Sequence, residues 1–387
     1  MTGPHVRHVG LNLVYLVPGE TGGMETYARE LIPALAKAAP ELRLTAFVNR
    51  EAAEAADGPW GELIESVTVP VRARNRVEWV RGEQQLVPRL ARQAGVDLVH
   101  SLGSTGPGWG RFRRVSTIHD LHYRTVPDAH FGLRGLGMRV LVPLSARRAH
   151  RVIADSRSAR DELLELLRLP PAKVDVVPLG LGGQRRAEPV DSTRLRRQLG
   201  VGDAPLLLTV SAKRPHKNLT TLLDALALID RERRPVLVLP GYPTEHEQEL
   251  REQASALGLD DHVRFLGWVG GAELEGLYAS AACFVFPSLS EGFGLPVLEA
   301  MSRGVPVACS NLGAVAEVAG DAARQFDPRS PREIAAAVTR LLGDRAEAER
   351  LRAAGAARAA TFTWEETARG TLASYARTLN RAASRSA

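Results

Sequence analysis

Cysteine is nearly absent from this 387-residue chain: Cys283 and Cys309 are its only two, each inside an apolar stretch, ACFVF and VPVACS. That usage excludes a disulfide scaffold or a zinc site and is expected of a reduced, cytosolic protein. Long hydrophobic runs are missing too, since nothing approaches the roughly 18 consecutive apolar residues of a membrane span. The first apolar run, Val9 to Val17, is broken by Asn12 and closed by Pro18-Gly19-Glu20 without a small-residue cleavage pattern. It reads as a buried strand rather than a signal peptide, so any membrane contact is expected to be peripheral. Aromatics are only 5% of the chain, and no helix-turn-helix, ribonucleoprotein or zinc-finger signature is present, which argues against a nucleic-acid partner.

What is present is globular composition. An apolar share of 44% with 24% charged residues excludes disorder over most of the length, and at roughly 150 residues per domain the chain suggests two domains, at most three. The net charge is +6 and uneven: between Arg111 and Arg151 lie nine arginines (Arg111, Arg113, Arg114, Arg124, Arg134, Arg139, Arg147, Arg148 and Arg151) against only Asp120 and Asp128. Such a segment is either a set of solvated helix faces or a surface for an anionic lipid or lipid-phosphate acceptor.

Short apolar runs alternate with helical patterns along the whole chain, the signature of βα units around parallel sheets. Strands are expected at 9–17, 43–49, 66–71, 97–101, 114–118, 151–155 and 174–177. The stretch LGLGGQRRAEP then reads as a linker, and a second series follows at 206–210, 235–239, 263–266, 283–286 and 305–308. Helices are expected between them, including about 23–39, 218–231, 245–257, 271–280, 295–303, 313–319 and 331–342. The tail Asp344 to Ala360 reads mostly as a surface helix. After it, Trp364, Thr367, Leu372 and Tyr375 recur at helical spacing with a face to bury. Two doubly wound α/β domains are therefore expected, with a ligand crevice at the carboxyl ends of their strands.

The sharpest local signal is SLSEGFGLPVLEAMSRGVPV, a loop and helix between two apolar strands. Gly292 and Gly294 let backbone approach a ligand, Pro296 suits a helix start, and the exposed amides favour an anion. Glu291 lies before the helix and Glu299 one turn inside it. Together they fit a nucleotide sugar: amides for a diphosphate, one carboxylate for ribose hydroxyls, the other for those of the sugar. A glycine turn with helix-capping acids is the competing reading.

Embedded as EGFGLPVLEAM, the two glutamates resemble the donor-binding signature of the retaining glycosyltransferases of family four (group 1). VSAKRPHKNLTTLLDAL, RVIADSRSARDELLELL, VDVVPLGL, RFLGWVGGAELEGLYASAACFVFPS, GGMETYARELIPAL, STIHDLHY and FTWEETA agree with that family in order and spacing, from about residue 9 to 380. The resemblance implies the GT-B fold, two Rossmann-like doubly wound domains facing each other across a cleft. Residues 1–182 would form an acceptor-side domain and 183–364 a nucleotide-sugar domain, with 365–387 a helix crossing back to the first.

It also implies roles. Lys217 would neutralise the departing diphosphate. Many family members carry an arginine where this chain has Ala212, so Lys213 or Arg214 would supply the second positive charge. Gly292, Phe293, Gly294 and Leu295 would line the donor turn with Glu291 and Glu299, and backbone near Val269 would read the base. Gly22 and Gly23 would offer amides from the opposite domain. His119 would lie beside the donor sugar, with Asp120 shaping the same corner and His122 ranked below. Same-face attack assisted by the departing phosphate would retain configuration without a protein nucleophile. Asp-x-Asp is absent from the chain, and a metal-independent reaction is expected, with a nucleotide-diphosphate sugar as co-substrate and no further cofactor. The acceptor would be a glycan, a lipid-linked glycan or a small molecule; the protein is expected to be cytoplasmic, with the basic segment 111–151 as the surface for peripheral contact at the inner face of the cell membrane. Two other readings compete: a sugar-nucleotide epimerase or glycan phosphorylase of the same fold, and a catalytically silent binding subunit.

Overall fold

The computed structural model describes residues 6–55, 58–125, 132–182 and 187–383. These divide into two compact units, one made of the described residues within 6–124, 132–182 and 362–383, the other of Thr125 and 187–361. Residues 183–186 of the expected linker lie outside the described residues, as do Asp128 and the side chain of Arg134.

The first unit is built on seven parallel strands: β1 (His8–Leu13), β2 (Arg43–Val48), β3 (Glu65–Thr68), β4 (Leu98–Ser101), β5 (Arg113–Ile118), β6 (Arg151–Ala154) and β7 (Val174–Val176), in the order β3-β2-β1-β4-β5-β6-β7. All six residues of β1 are buried, as a parallel strand covered by helices on both faces requires. β1 is shorter than expected. The chain turns after Leu13, where the Leu16 amide donates to the Leu13 carbonyl and buried Asn49 donates to the Val14 and Leu16 carbonyls. Val14, Leu16 and Val17 are thus buried without being strand.

The helix Trp364–Ala383 belongs to this first unit. Trp364, Thr367 and Tyr375 are buried as the spacing anticipates, Leu372 only half so. Apart from Ala368, the rest of the buried face is polar. Thr371 and Thr378 donate to carbonyls four residues back, Thr367 to Pro178 and Ser374 to Asp175, so no hydroxyl among these is left without a partner.

The second unit has six parallel strands: β8 (Leu206–Leu208), β9 (Val236–Leu239), β10 (Val263–Phe265), β11 (Cys283–Phe286), β12 (Val307–Ser310) and β13 (Arg324–Phe326), ordered β10-β9-β8-β11-β12-β13. β13 was not anticipated: it is three residues long and only Phe326 is buried, so no apolar run announces it. The helix Arg345–Ala359 is a correction, because Ala348, Leu351, Gly355 and Ala359 are buried. A Cβ at Gly355 would stand 3.1 Å from Met301 Cγ, so the small residue lets this helix press against Leu295–Ser302. In each sheet the order reverses beside the first strand, between β1 and β4 and between β8 and β11, and the carboxyl ends flanking these points are where such folds bind ligands.

Candidate active site

In the second unit the chain leaves β8 and forms a tight turn, Pro215–Lys217, followed by Asn218 and the helix Leu219–Ala227. Neighbouring β11 leads into the loop that carries Glu291. Strand adjacency therefore brings together residues 74 positions apart: Lys217 Nζ donates to Glu291 Oε1 at 2.6 Å, and the ammonium lies 5.4 Å from the centre of the Phe286 ring. Burial favours the neutral Glu291 carboxyl, but Lys217, Ser288 and His216 outweigh it and hold the carboxyl below its usual range. The site keeps a largely enclosed carboxylate ionised by setting Lys217 against it.

The glycine turn follows. Gly294 caps the helix Leu295–Ser302 at φ 108°, a backbone angle open to glycine. Pro296 stands in the first turn of that helix. Phe293 is buried. One turn inside, Glu299 accepts a hydrogen bond from the Tyr278 hydroxyl at 3.1 Å. Tyr278 is itself overlain by the Arg303 guanidinium at 4.5 Å, and Arg303 pairs with Glu275. The sequence reading missed this support because Tyr278 sits in the preceding helix, Gly271–Ser280, inside an ordinary apolar stripe.

Lys213 is a correction. Its side chain is fully buried, donating to the carbonyls of Gly241 and Leu266 beside Glu247. Burial lowers its pKa, against the opposing pull of Glu247. It knits the loops after β9 and β10 together and is not available to a diphosphate. Arg214, by contrast, is exposed. Val269 is half-buried in the turn before Gly271–Ser280. Beside it the structure shows a pair that sequence reading passed over, Trp268 (71% exposed) stacked on Tyr242 (44% exposed) with ring centres 4.8 Å apart.

The first unit holds the remaining candidates. Gly22, at φ 60°, and Gly23 open the helix Gly23–Ala38, and a Cβ on either would meet nothing within 4 Å, so their backbone is unobstructed. Buried Glu25 accepts from the Gly19 amide and from Arg29, closing the loop that precedes the helix. His119 follows β5. Its Nδ1 faces Asp155 Oδ2 at 2.7 Å and its Nε2 the Leu102 carbonyl at 2.8 Å. Both partners only accept, so both ring nitrogens donate and the ring is an imidazolium. Burial alone would lower its pKa, yet Asp155, Leu102 and Asp120 push it up to about 9. Asp120 accepts from the backbone amide of His122, whose ring lies 3.4 Å from the same carboxylate. Behind them buried His100 bonds to Tyr375 and Thr117 at 2.8 Å each, and burial together with His119 lowers it to about 3. It is neutral.

The basic segment is thinner than its count suggests. Arg151 is buried and forks onto Asp175, while Arg114 donates to the Arg148 and Gly110 carbonyls. Arg111, Arg139, Arg147 and Arg148 are exposed. Near them Trp109 is 53% exposed.

The family model described as "Glycosyl transferases group 1" matches residues 191–358, and that described as "Glycosyltransferase Family 4" matches residues 21–182. An O-antigen chain mannosyltransferase B of Escherichia coli is 32% identical over 68% of this chain and 70% of its own. A D-inositol 3-phosphate glycosyltransferase of Kineococcus radiotolerans is 31% identical over 99% of this chain and 98% of its own. Among solved structures, sucrose-phosphate synthase from Thermosynechococcus elongatus superposes with a TM-score of 0.75 at 22% identity, covering 97% of this chain and 100% of that one. Anabaena Alr3699/HepE in complex with UDP and glucose gives 0.71 at 23%, covering 97% and 100%.

Proposed function

From the premise that this chain belongs to the group 1 glycosyltransferases of family four and is a glycosyltransferase, we propose that it moves a hexose from a nucleoside-diphosphate sugar to an acceptor with retention of configuration and without a metal. The observation that carries the reading is the Lys217–Glu291 pair at the β8/β11 switch point, beside the left-handed glycine turn.

The chemistry follows from what each group can offer. As the glycosidic bond to the diphosphate breaks, negative charge grows on the leaving oxygen, and Lys217 with the amides of Gly292 to Leu295 is placed to stabilise it. Exposed Arg214 adds charge at the mouth of the turn. Glu291 accepts from sugar hydroxyls, and Glu299, steadied by Tyr278, from those of the ribose. Backbone at Val269 recognises the base. His119, with both nitrogens spent inside its own unit, contributes a fixed positive charge rather than a proton. With no carboxylate assigned to the reacting carbon, the acceptor attacks on the face the diphosphate leaves, and the departing phosphate oxygen takes its proton.

The relatives' names, an O-antigen chain mannosyltransferase and a D-inositol 3-phosphate glycosyltransferase, support a hexose and a glycan or small phosphorylated polyol as acceptor. Among the described residues no helix is long and apolar enough to cross a membrane. The exposed arginines of the first unit support peripheral binding to the cytoplasmic membrane face. The deciding experiment is a thermal-shift screen against UDP, GDP, dTDP and ADP in the presence of EDTA, with Lys217→Ala and Glu299→Ala alongside. A nucleotide at 100 times its Kd adds about 2.7 kcal/mol of stability. One nucleotide is expected to stabilise the wild type and to lose that effect in both variants. No response from any of the four sinks the donor-site reading in favour of a silent binding subunit.

A further inference from the structure

The turn that presents Lys217 is held by a residue with no role in the scheme above. Asn218 lies at φ 58°, ψ 38°, a left-handed conformation that glycine fills most cheaply, and its side chain is buried. Both amide hydrogens and the amide oxygen are engaged. Nδ2 donates one hydrogen to the Pro287 carbonyl at 3.1 Å and the other to the Pro328 carbonyl at 2.7 Å, while Oδ1 accepts from the Thr221 hydroxyl at 2.6 Å.

These partners place Asn218 at a junction. Pro287 is the first residue after β11, and Pro328 lies just beyond β13. Next to Asn218, the His216 carbonyl accepts from the Leu289 amide at 2.9 Å and from the Ser288 hydroxyl at 3.1 Å. The turn bearing Lys217 is therefore laced to the loop bearing Glu291 immediately beside the 2.6 Å ion pair. Only an amide supplies two hydrogens and an acceptor from so short a stem: aspartate would set oxygens against two carbonyls, and glycine would keep the backbone angle but drop every bond.

We propose that Asn218 is a positioning residue for the transferase reaction, stapling the Lys217 turn to the β11 loop so that the ammonium stands where the donor diphosphate binds. The inference rests on the donor-site reading of the preceding section. A misplacement of about 1 Å at such a site costs up to roughly a hundredfold in rate, so one staple has leverage out of proportion to its own bonds.

The test titrates UDP, GDP, dTDP and ADP calorimetrically into wild type, Asn218→Gly, Asn218→Asp, Lys217→Ala and the Lys217→Ala/Asn218→Gly double variant, with melting temperatures recorded for each. Asn218→Gly is expected to weaken nucleotide binding about tenfold in the wild-type background and less than twofold once Lys217 is gone, and Asn218→Asp to weaken it further. Thr221→Val, which loosens only the hold on Oδ1, is expected to weaken it two- to threefold and carries the test if the Asn218 variants fail to fold. Binding by Asn218→Gly or Thr221→Val equal to wild type overturns the proposal. So does an equal loss with and without Lys217, which would mark Asn218 as a purely structural residue. If Lys217→Ala itself binds normally, or the wild type binds none of the four, the donor-site reading fails first and this inference with it.

Discussion

At the scale of single residues, His119 shows what a strand-end position does and does not reveal. The context IHDL places it one residue beyond β5. Its partner Asp155 is 36 positions away and one residue beyond β6. Because Ile118 and Ala154 are paired in register, the next residues stand side by side, so the contact follows from adjacency of two strands that the sequence had already revealed singly. The Lys217–Glu291 pair was hidden in the same way, since β8 meets β11 only after two intervening strands have gone to the other side. Lys213 and Lys217 could not be told apart by type or spacing; burial of one separates them. The pH behaviour of His119 follows from its shift to about 9. A histidine raised in the folded state contributes stability fully present below its unfolded pKa of about 6.5 and lost as pH rises through about 9, worth on the order of 3 kcal/mol for so enclosed a pair. In Asp155→Asn the ring is expected to titrate near or below 6.5 and this pH dependence of stability to vanish. NMR titration of the imidazole together with melting curves between pH 6 and 9.5 would show it, and a His119 pKa still near 9 would disprove the account.

At the scale of elements, the long, buried strands and amphipathic helices were legible because their apolar period is strong, and the failures share a cause. β13 buries only Phe326 and so has no apolar run, unlike the equally short β7, β8 and β10, and Arg345–Ala359 buries mostly alanine and glycine, which carry little hydrophobic signal. The polar face of Trp364–Ala383 is legible only in part, because Thr and Ser count as surface residues until their acceptors are known. How closely that helix docks is set by one glycine opposite it and one within it: a Cβ at Gly180 would fall 2.3 Å from the Trp364 backbone nitrogen, and one at Gly370 would fall 2.9 Å from the Val177 side chain. Backbone cannot yield as a side chain tip can. Gly180→Ala is therefore expected to destabilise the first unit by about 2–3 kcal/mol, lowering its melting temperature by several degrees. Calorimetry would resolve this, and an unchanged transition would show that the helix has slack.

At the scale of the whole molecule, a charge of +6 is spread over a fold whose buried arginines already have partners, which leaves a smaller exposed set to meet an anionic surface. The protein is expected to sediment with phosphatidylglycerol vesicles at low ionic strength and to be released as salt shortens the range of the interaction. Arg147→Glu/Arg148→Glu is expected to weaken that binding severalfold. Failure of the wild type to sediment at low salt would remove the membrane proposal while leaving the donor site untouched. The return of Trp364–Ala383 to the first unit also imposes an order on synthesis. Roughly 180 residues of the second unit leave the ribosome between β7 and the helix that covers β5 and β6, at about 5–20 residues per second. For some 10–40 s the nascent first unit waits with His100 and Thr117 lacking the tyrosine and helix that will enclose them, and the unit encoded second has the opportunity to finish folding first.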